Sequence, residues 1–180
     1  MMKQKIAAMI LATSAALGAG ATVTPPADKD NTFKYTDEQF ADIQMLRYKV
    51  EGFDKLTLKQ KTFIYYLQEA ALWGRDILFD QNGRYNLRIR QLLETVYTDY
   101  PGDRQSAFFK GLSTYLKRVW FSSGIHHHYG CEKFEPEFAA DDLRRALHEV
   151  PAEKLPLSTG QTVDGLCDEL FPVMFDAKVM

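Results

Sequence analysis

The stretch from Gly124 to Phe134, GIHHHYGCEKF, concentrates more potential chemistry than any other part of the chain. Three adjacent imidazoles, His126, His127 and His128, are followed by Tyr129, Gly130 and Cys131. Neutral imidazole nitrogen is a ligand for zinc, copper or nickel. In an extended segment, however, His126 and His128 point to one side and His127 to the other. A metal site here therefore needs ligands from elsewhere in the chain. Glu132 and Cys131 are close in sequence, but no separated His or Cys pair has the spacing of a structural zinc site. A loop of solvated or substrate-facing imidazoles fits these residues better than a dedicated metal centre.

The other candidates fail on spacing. His148-Glu149 opens like the zinc-protease helix motif, which needs a second histidine one turn on. Ala152 and Glu153 stand there instead, and Pro151 breaks the helix that the motif requires. Ser122 and Ser123 lie next to the histidines without a nucleophile-elbow pattern around them. Cys131 is a thiolate candidate, yet adjacency in sequence does not supply the geometry a base needs. Arg84, Arg88 and Arg90 interleave with Tyr85 and Leu87 like a nucleic-acid stripe, and on an amphipathic helix they read as a solvated face. Residue chemistry alone identifies no reaction.

The elements that must position these residues are mainly helical. Thr36 with Gln39, and Thr57 with Gln60, both match the capping box at a helix start. After the second box, Phe63, Leu67, Ala70, Gly74, Ile77 and Leu78 fall at steps of three and four, predicting one continuous apolar stripe. Asn82-Gly83 makes a turn. Leu92, Leu93, Val96 and Tyr97 mark the next helix, which Pro101-Gly102 stops. Phe109, Leu112, Leu116 and Val119 mark another, ending near Ser122-Ser123-Gly124, so the histidine stretch is a connection. Asp141 and Asp142 begin a short helix limited by Pro151 and Pro156. No strand alternation and no internal repeat is expected.

Composition sets outer bounds. Of 180 residues, 46% are hydrophobic and 26% charged, with net charge −2, which suits a globular domain and offers no electrostatic footprint for nucleic acid or an anionic membrane. Residues 1–21 read as a signal peptide: a short cationic start, an apolar run, and Ala19-Gly20-Ala21 as the cleavage pattern. The apolar run is shorter than the ~20 residues of a spanning helix. Loss of Lys3 and Lys5 would take the net charge to −4. The expected location is exported, periplasmic or secreted, with residues 22–35 as a flexible polar leader and 36–180 as the folded body. Cys131 and Cys167 could pair after export, but two separate thiols is the simpler expectation. The apolar ending LFPVMFDAKVM suggests a segment cut from something longer.

Four stretches, FADIQMLRYKVEGFDKLTLKQK, YYLQEAALWGRDILFDQNGRYNLRIR, YLKRVWFSSGIHHHYGCEKFEPEF and ELFPVMFDAKVM, carry a family resemblance. From Phe40 to Met180 the chain resembles the N-terminal part of the dipeptidyl peptidase III family of zinc exopeptidases, in its bacterial form. The resemblance implies a mainly α fold: the helical N-terminal portion of the lower lobe of a two-lobed α+β metallopeptidase. It also implies a parent that releases dipeptides from the N-termini of oligopeptides. The family's zinc lies in the other lobe, on an HExxGH helix plus a glutamate from an EExR-type helix. Neither motif occurs here, so the resemblance leaves this chain without catalytic or metal residues of its own and assigns zinc to the intact parent.

The resemblance also carries a substrate site. In the family, the loop ending in an aromatic-Gly pair before KF.P reaches the cleft and touches peptide. Here that loop is His128-Tyr129-Gly130, followed by Lys133-Phe134 and Pro136. Other members have a small hydroxyl residue at the place of His128 and phenylalanine at the place of Tyr129. Tyr129 would offer a flat wall to a substrate side chain, and Gly130 would let backbone amides approach the peptide. The implied partners are an oligopeptide and the remainder of the peptidase chain, without nucleic acid or a membrane span after signal cleavage. Two alternatives stay open: a free-standing secreted helical module that binds without catalysis, and a small metal-binding protein using the histidines.

Overall fold

Two Thr-x-x-Gln boxes with the same spacing end in different structures. At Thr57 the box forms: the Thr57 amide donates to Gln60 Oε1 at 2.9 Å, and the Gln60 amide donates to Thr57 Oγ1 at 3.3 Å. It opens helix α1, Leu58–Leu72. At Thr36 no helix follows. Residues Thr36–Phe40 form strand β1, antiparallel to strand β2, Ile43–Leu46. Phe40 pairs with Ile43 across a two-residue turn in which Ala41 takes φ 48°, and Gln39 pairs with Gln44. The expected helix start at Thr36 is thus replaced by a hairpin. The difference lies downstream: LKQKTFIYYLQEAAL is rich in helix formers, whereas FADIQML places Phe40, Ile43 and Met45 where a short turn can bring them together.

The computed structural model describes residues 33–130 and 132–179. The expected signal peptide, most of the leader, and Cys131 lie outside the described residues. These fall into two compact units, divided between Ile64 and Tyr65. The first holds the hairpin, a 3-10 turn at Phe53–Lys55 and the start of α1. Lys61 ties this unit together, donating to the Asp54 carbonyl at 3.2 Å while lying 5.5 Å from the Phe53 ring.

The second unit carries the core. Its helices are α2 (Arg75–Asn82), α3 (Asn86–Asp99), α4 (Ala107–Ser122), α5 (Ala140–Glu149) and α6 (Val163–Phe175). α3 packs on α2 and α4, and α5 packs on α6. Ile89, Leu92, Leu93 and Val96 of α3 meet Leu112, Leu116 and Val119 of α4, with Leu143 and Leu147 of α5 and Leu166 and Leu170 of α6, every one fully buried. This is the 3.6-residue periodicity of the sequence realised as packing. Starts and stops match as well: Ser106 Oγ accepts from the Phe109 amide at 3.2 Å to cap α4, and α5 ends at Glu149 before Pro151. Among the described residues no helix is long and apolar enough to cross a membrane.

Two expectations about surfaces are corrected. The stripe from Phe63 to Leu78 is neither continuous nor covered. α1 ends at Leu72, the amides of Trp73 and Gly74 close tightened turns onto Ala70 and Ala71, and α2 begins after Gly74. α1 buries no residue at all. The arginines of α3 are the reverse case. Arg88 is half-buried and bridges to Glu169 at 2.7 Å, to Gln161 Oε1 at 2.7 Å and to the Pro156 carbonyl. Arg90, with only 11% of its side chain exposed, pairs with Asp76 at 2.8 Å and covers the Phe79 ring at 4.7 Å. These guanidiniums clamp elements together, because a planar fork can satisfy several acceptors at once.

Candidate functional site

The histidine segment is built on the end of α4. Ser123 leaves the helix at φ 53°, and the Gly124 amide closes back onto the Val119 carbonyl at 3.1 Å. Asn86, the first residue of α3 and buried, then receives the chain: its Oδ1 accepts the Ile125 amide at 3.2 Å. The fit is close enough to dictate glycine. A Cβ at Gly124 would lie 2.5 Å from Asn86 Nδ2. From Asn82 of α2, Nδ2 adds a bond to the Ser123 carbonyl at 3.2 Å.

Beyond this anchor the chain folds into a narrow ribbon. The Phe134 amide donates to the Ile125 carbonyl and the His127 amide to the Glu132 carbonyl, both at 2.8 Å, with His126 bridging to Lys133 between them. Ile125 and Phe134 are the buried feet, and the Arg118 guanidinium lies 5.2 Å from the Phe134 ring. Lys133 fastens the returning arm. Its ammonium donates to the carbonyls of Val173 at 3.0 Å, Asp176 at 2.7 Å and Val179, at the C-terminal end of α6. A cation there meets the negative end of the helix dipole as well as unpaired carbonyls.

At the tip the backbone bends, so the alternation expected for an extended segment does not hold. The His127 and His128 rings stack on one another at 4.6 Å and 27° instead of facing opposite ways. Both backbone amides after His128 turn inwards: those of Tyr129 and Gly130 donate to His127 Nδ1 at 3.3 Å each. His128 Nδ1 lies 3.4 Å from Ser122 Oγ, and its ring meets Phe121 edge-on at 5.2 Å. Ser122 is buried, so the pair positions His128 and offers no reachable nucleophile. Tyr129 leans on His128 at 4.3 Å and remains 59% exposed, the most exposed aromatic of the ribbon.

Partial burial, then the charge of Lys133, hold the His126 imidazole below its ordinary pKa, so it is uncharged at neutral pH. His128, Tyr129 and Gly130 come together at one point in space, as expected of neighbours. What sequence reading missed is the support: Asn86, Lys133 as a helix cap, and His127 as an acceptor. Only the Thr-x-x-Gln and Asn-Gly patterns hinted at such side-chain to backbone bonding.

The resemblance places its zinc in the intact parent, outside these residues. Among the described residues no three His, Cys, Asp or Glu side chains are grouped to hold a metal ion, and His127 spends its Nδ1 on backbone amides. A separate open depression of about 420 Å³, lined by Gln91, Glu94, Thr95, Asp99 and Lys154, lies away from the ribbon, and Lys154 there is already paired with Asp99. No family model matches the chain, and no curated protein matches it.

Proposed function

We propose that the chain supplies part of the substrate wall of an exported, zinc-dependent exopeptidase that removes dipeptides from the N-termini of oligopeptides. The zinc and its general base belong to the remainder of the peptidase chain. One observation carries this reading: an exposed tyrosine ring is held on a ribbon whose feet, returning arm and tip are each fastened. Binding sites favour such rigid amphipathic anchors, since little side-chain entropy is lost when a peptide packs on them. The Tyr129 ring is the contacting surface, and its supports, His128 and His127, fix where that surface stands.

The test is peptide binding and its dependence on Tyr129. A pentapeptide with a free N-terminus and a C-terminal fluorophore is titrated against the purified chain by anisotropy. Truncation Tyr129→Ala weakens binding about tenfold, the scale of losing a buried aromatic contact. In the intact parent enzyme the same change raises KM for a dipeptidyl arylamide more than it lowers kcat. Unchanged binding and unchanged KM sink the proposal. Peptide that binds but is never cleaved by the intact parent selects the non-catalytic binding module instead.

A further inference from the structure

We infer that His127 is the positioning residue of the tip: its unprotonated Nδ1 shapes the turn that presents Tyr129, and acid pH releases that turn. The inference rests on the peptide-contact reading for its functional consequence, though not for its structural part. Two N–H donors, those of Tyr129 and Gly130, converge on one ring nitrogen at 3.3 Å. A nitrogen can accept them only through its lone pair. His127 is therefore held as the tautomer with its proton on Nε2.

Proton uptake reverses the chemistry. A protonated imidazole carries N–H at both nitrogens, so Nδ1 would face two donors with a third. Both hydrogen bonds are lost together and replaced by repulsion, and the bent segment 128–130 loses its internal brace. On the outer side of Gly130 a Cβ would collide with the Glu132 carboxylate, the end of a flexible side chain. The geometry is that of an asparagine turn, in which a side-chain acceptor binds amides two and three residues on, built here with a group that titrates.

The neighbours set the direction of the effect. His128 stacks on the ring, Tyr129 and Phe134 flank it at 6.3 Å, and the Arg118 guanidinium lies behind Phe134. Lys133 and the uncharged His126 form the bridge next to it on the ribbon, and the Lys133 ammonium and the Arg118 guanidinium oppose a further positive charge. Glu132, across the ribbon and reaching towards Gly130, is the acidic group that favours one.

Two variants separate positioning from mere packing. His127→Asn keeps an acceptor oxygen within reach of the same amides but cannot titrate, whereas His127→Phe keeps a stacking ring without an acceptor. Between about pH 7.5 and about pH 5 the wild-type chain loses about tenfold in affinity for the labelled pentapeptide, while His127→Asn changes less than about twofold. His127→Phe binds weakly at both. In parallel, imidazole nitrogen shifts of the wild-type chain report the Nε2–H tautomer at neutral pH, and the Tyr129 and Gly130 amide signals move when His127 titrates. A His127→Asn variant that keeps the wild-type pH profile, or an Nδ1–H tautomer at neutral pH, overturns the inference. If the peptide binds under no condition, the peptide reading fails and the nitrogen shifts alone decide the role of His127.

Discussion

Replacing Lys133 by methionine removes a charge and three hydrogen bonds while keeping the aliphatic stem that runs beside the ribbon. The carbonyls of Val173 at 3.0 Å, Asp176 at 2.7 Å and Val179 all lose their donor. A cation in the last turn of a helix is worth about 0.3–1 kcal/mol, and up to ~2 in partly buried geometry. Hydrogen bonds from a charged donor contribute about 1.5–3 kcal/mol. The two figures describe the same electrostatics from different sides, so they overlap and do not add. Methionine also relieves the partial desolvation of an ammonium. The net expectation is a loss of about 2 kcal/mol, or roughly 4–8 °C in Tm for a chain of this size. Urea unfolding of Lys133→Met against wild type measures it. A second readout is independent of stability: without the Lys133 charge, the depressed His126 pKa rises, though not fully, because burial is the larger cause of its depression. A loss below about 0.5 kcal/mol together with an unmoved His126 titration refutes the reasoning about the cap.

Two more outcomes follow from the same supports. Asn86→Ala leaves the buried Ile125 amide without its acceptor and costs about 1–3 kcal/mol. Because the Gly124→Ala methyl collides with Asn86, the double variant costs less than the sum of the singles, and full additivity in urea unfolding contradicts the contact. Burial pushes the Cys167 thiol up to about 11 from an ordinary 9.0, so the unfolded chain ionises first and stability falls as pH rises through that window. Tyr115 is raised by burial too and adds to the loss at higher pH. The difference between wild type and Cys167→Ala isolates the thiol: the wild-type chain destabilises by about 1–3 kcal/mol more between about pH 8.5 and about pH 11, and parallel pH profiles would exclude it.

Helix periodicity made the core legible from the chain alone. Leu92, Leu93, Val96, Leu112, Leu116 and Val119 repeat at three and four residues, and that stripe is buried between α3 and α4. Turns at Asn82-Gly83 and Pro101-Gly102, the box at Thr57 and the stop before Pro151 follow from equally local constraints, each involving a few adjacent residues. The connecting character of the histidine segment followed from the elements on either side.

Local pattern was insufficient wherever the partner is remote. Thr36 and Thr57 carry the same box, and only the pairing of Phe40 with Ile43 makes one of them a strand. Arg88 resembles a solvated cation until Glu169 and Pro156, far along the chain, are brought against it. His127 and His128 stack because the ribbon is bent at its tip, while Asn86 of α3 holds one arm and Lys133 fastens the other to the end of α6. Composition and periodicity determined that this chain makes helices and which residues α3 and α4 bury, though not that the stripe on α1 stays exposed. The tertiary structure decided what the polar side chains do, because a hydrogen-bonding group is satisfied by whatever the fold places within about 3 Å of it, and sequence separation carries no record of that distance.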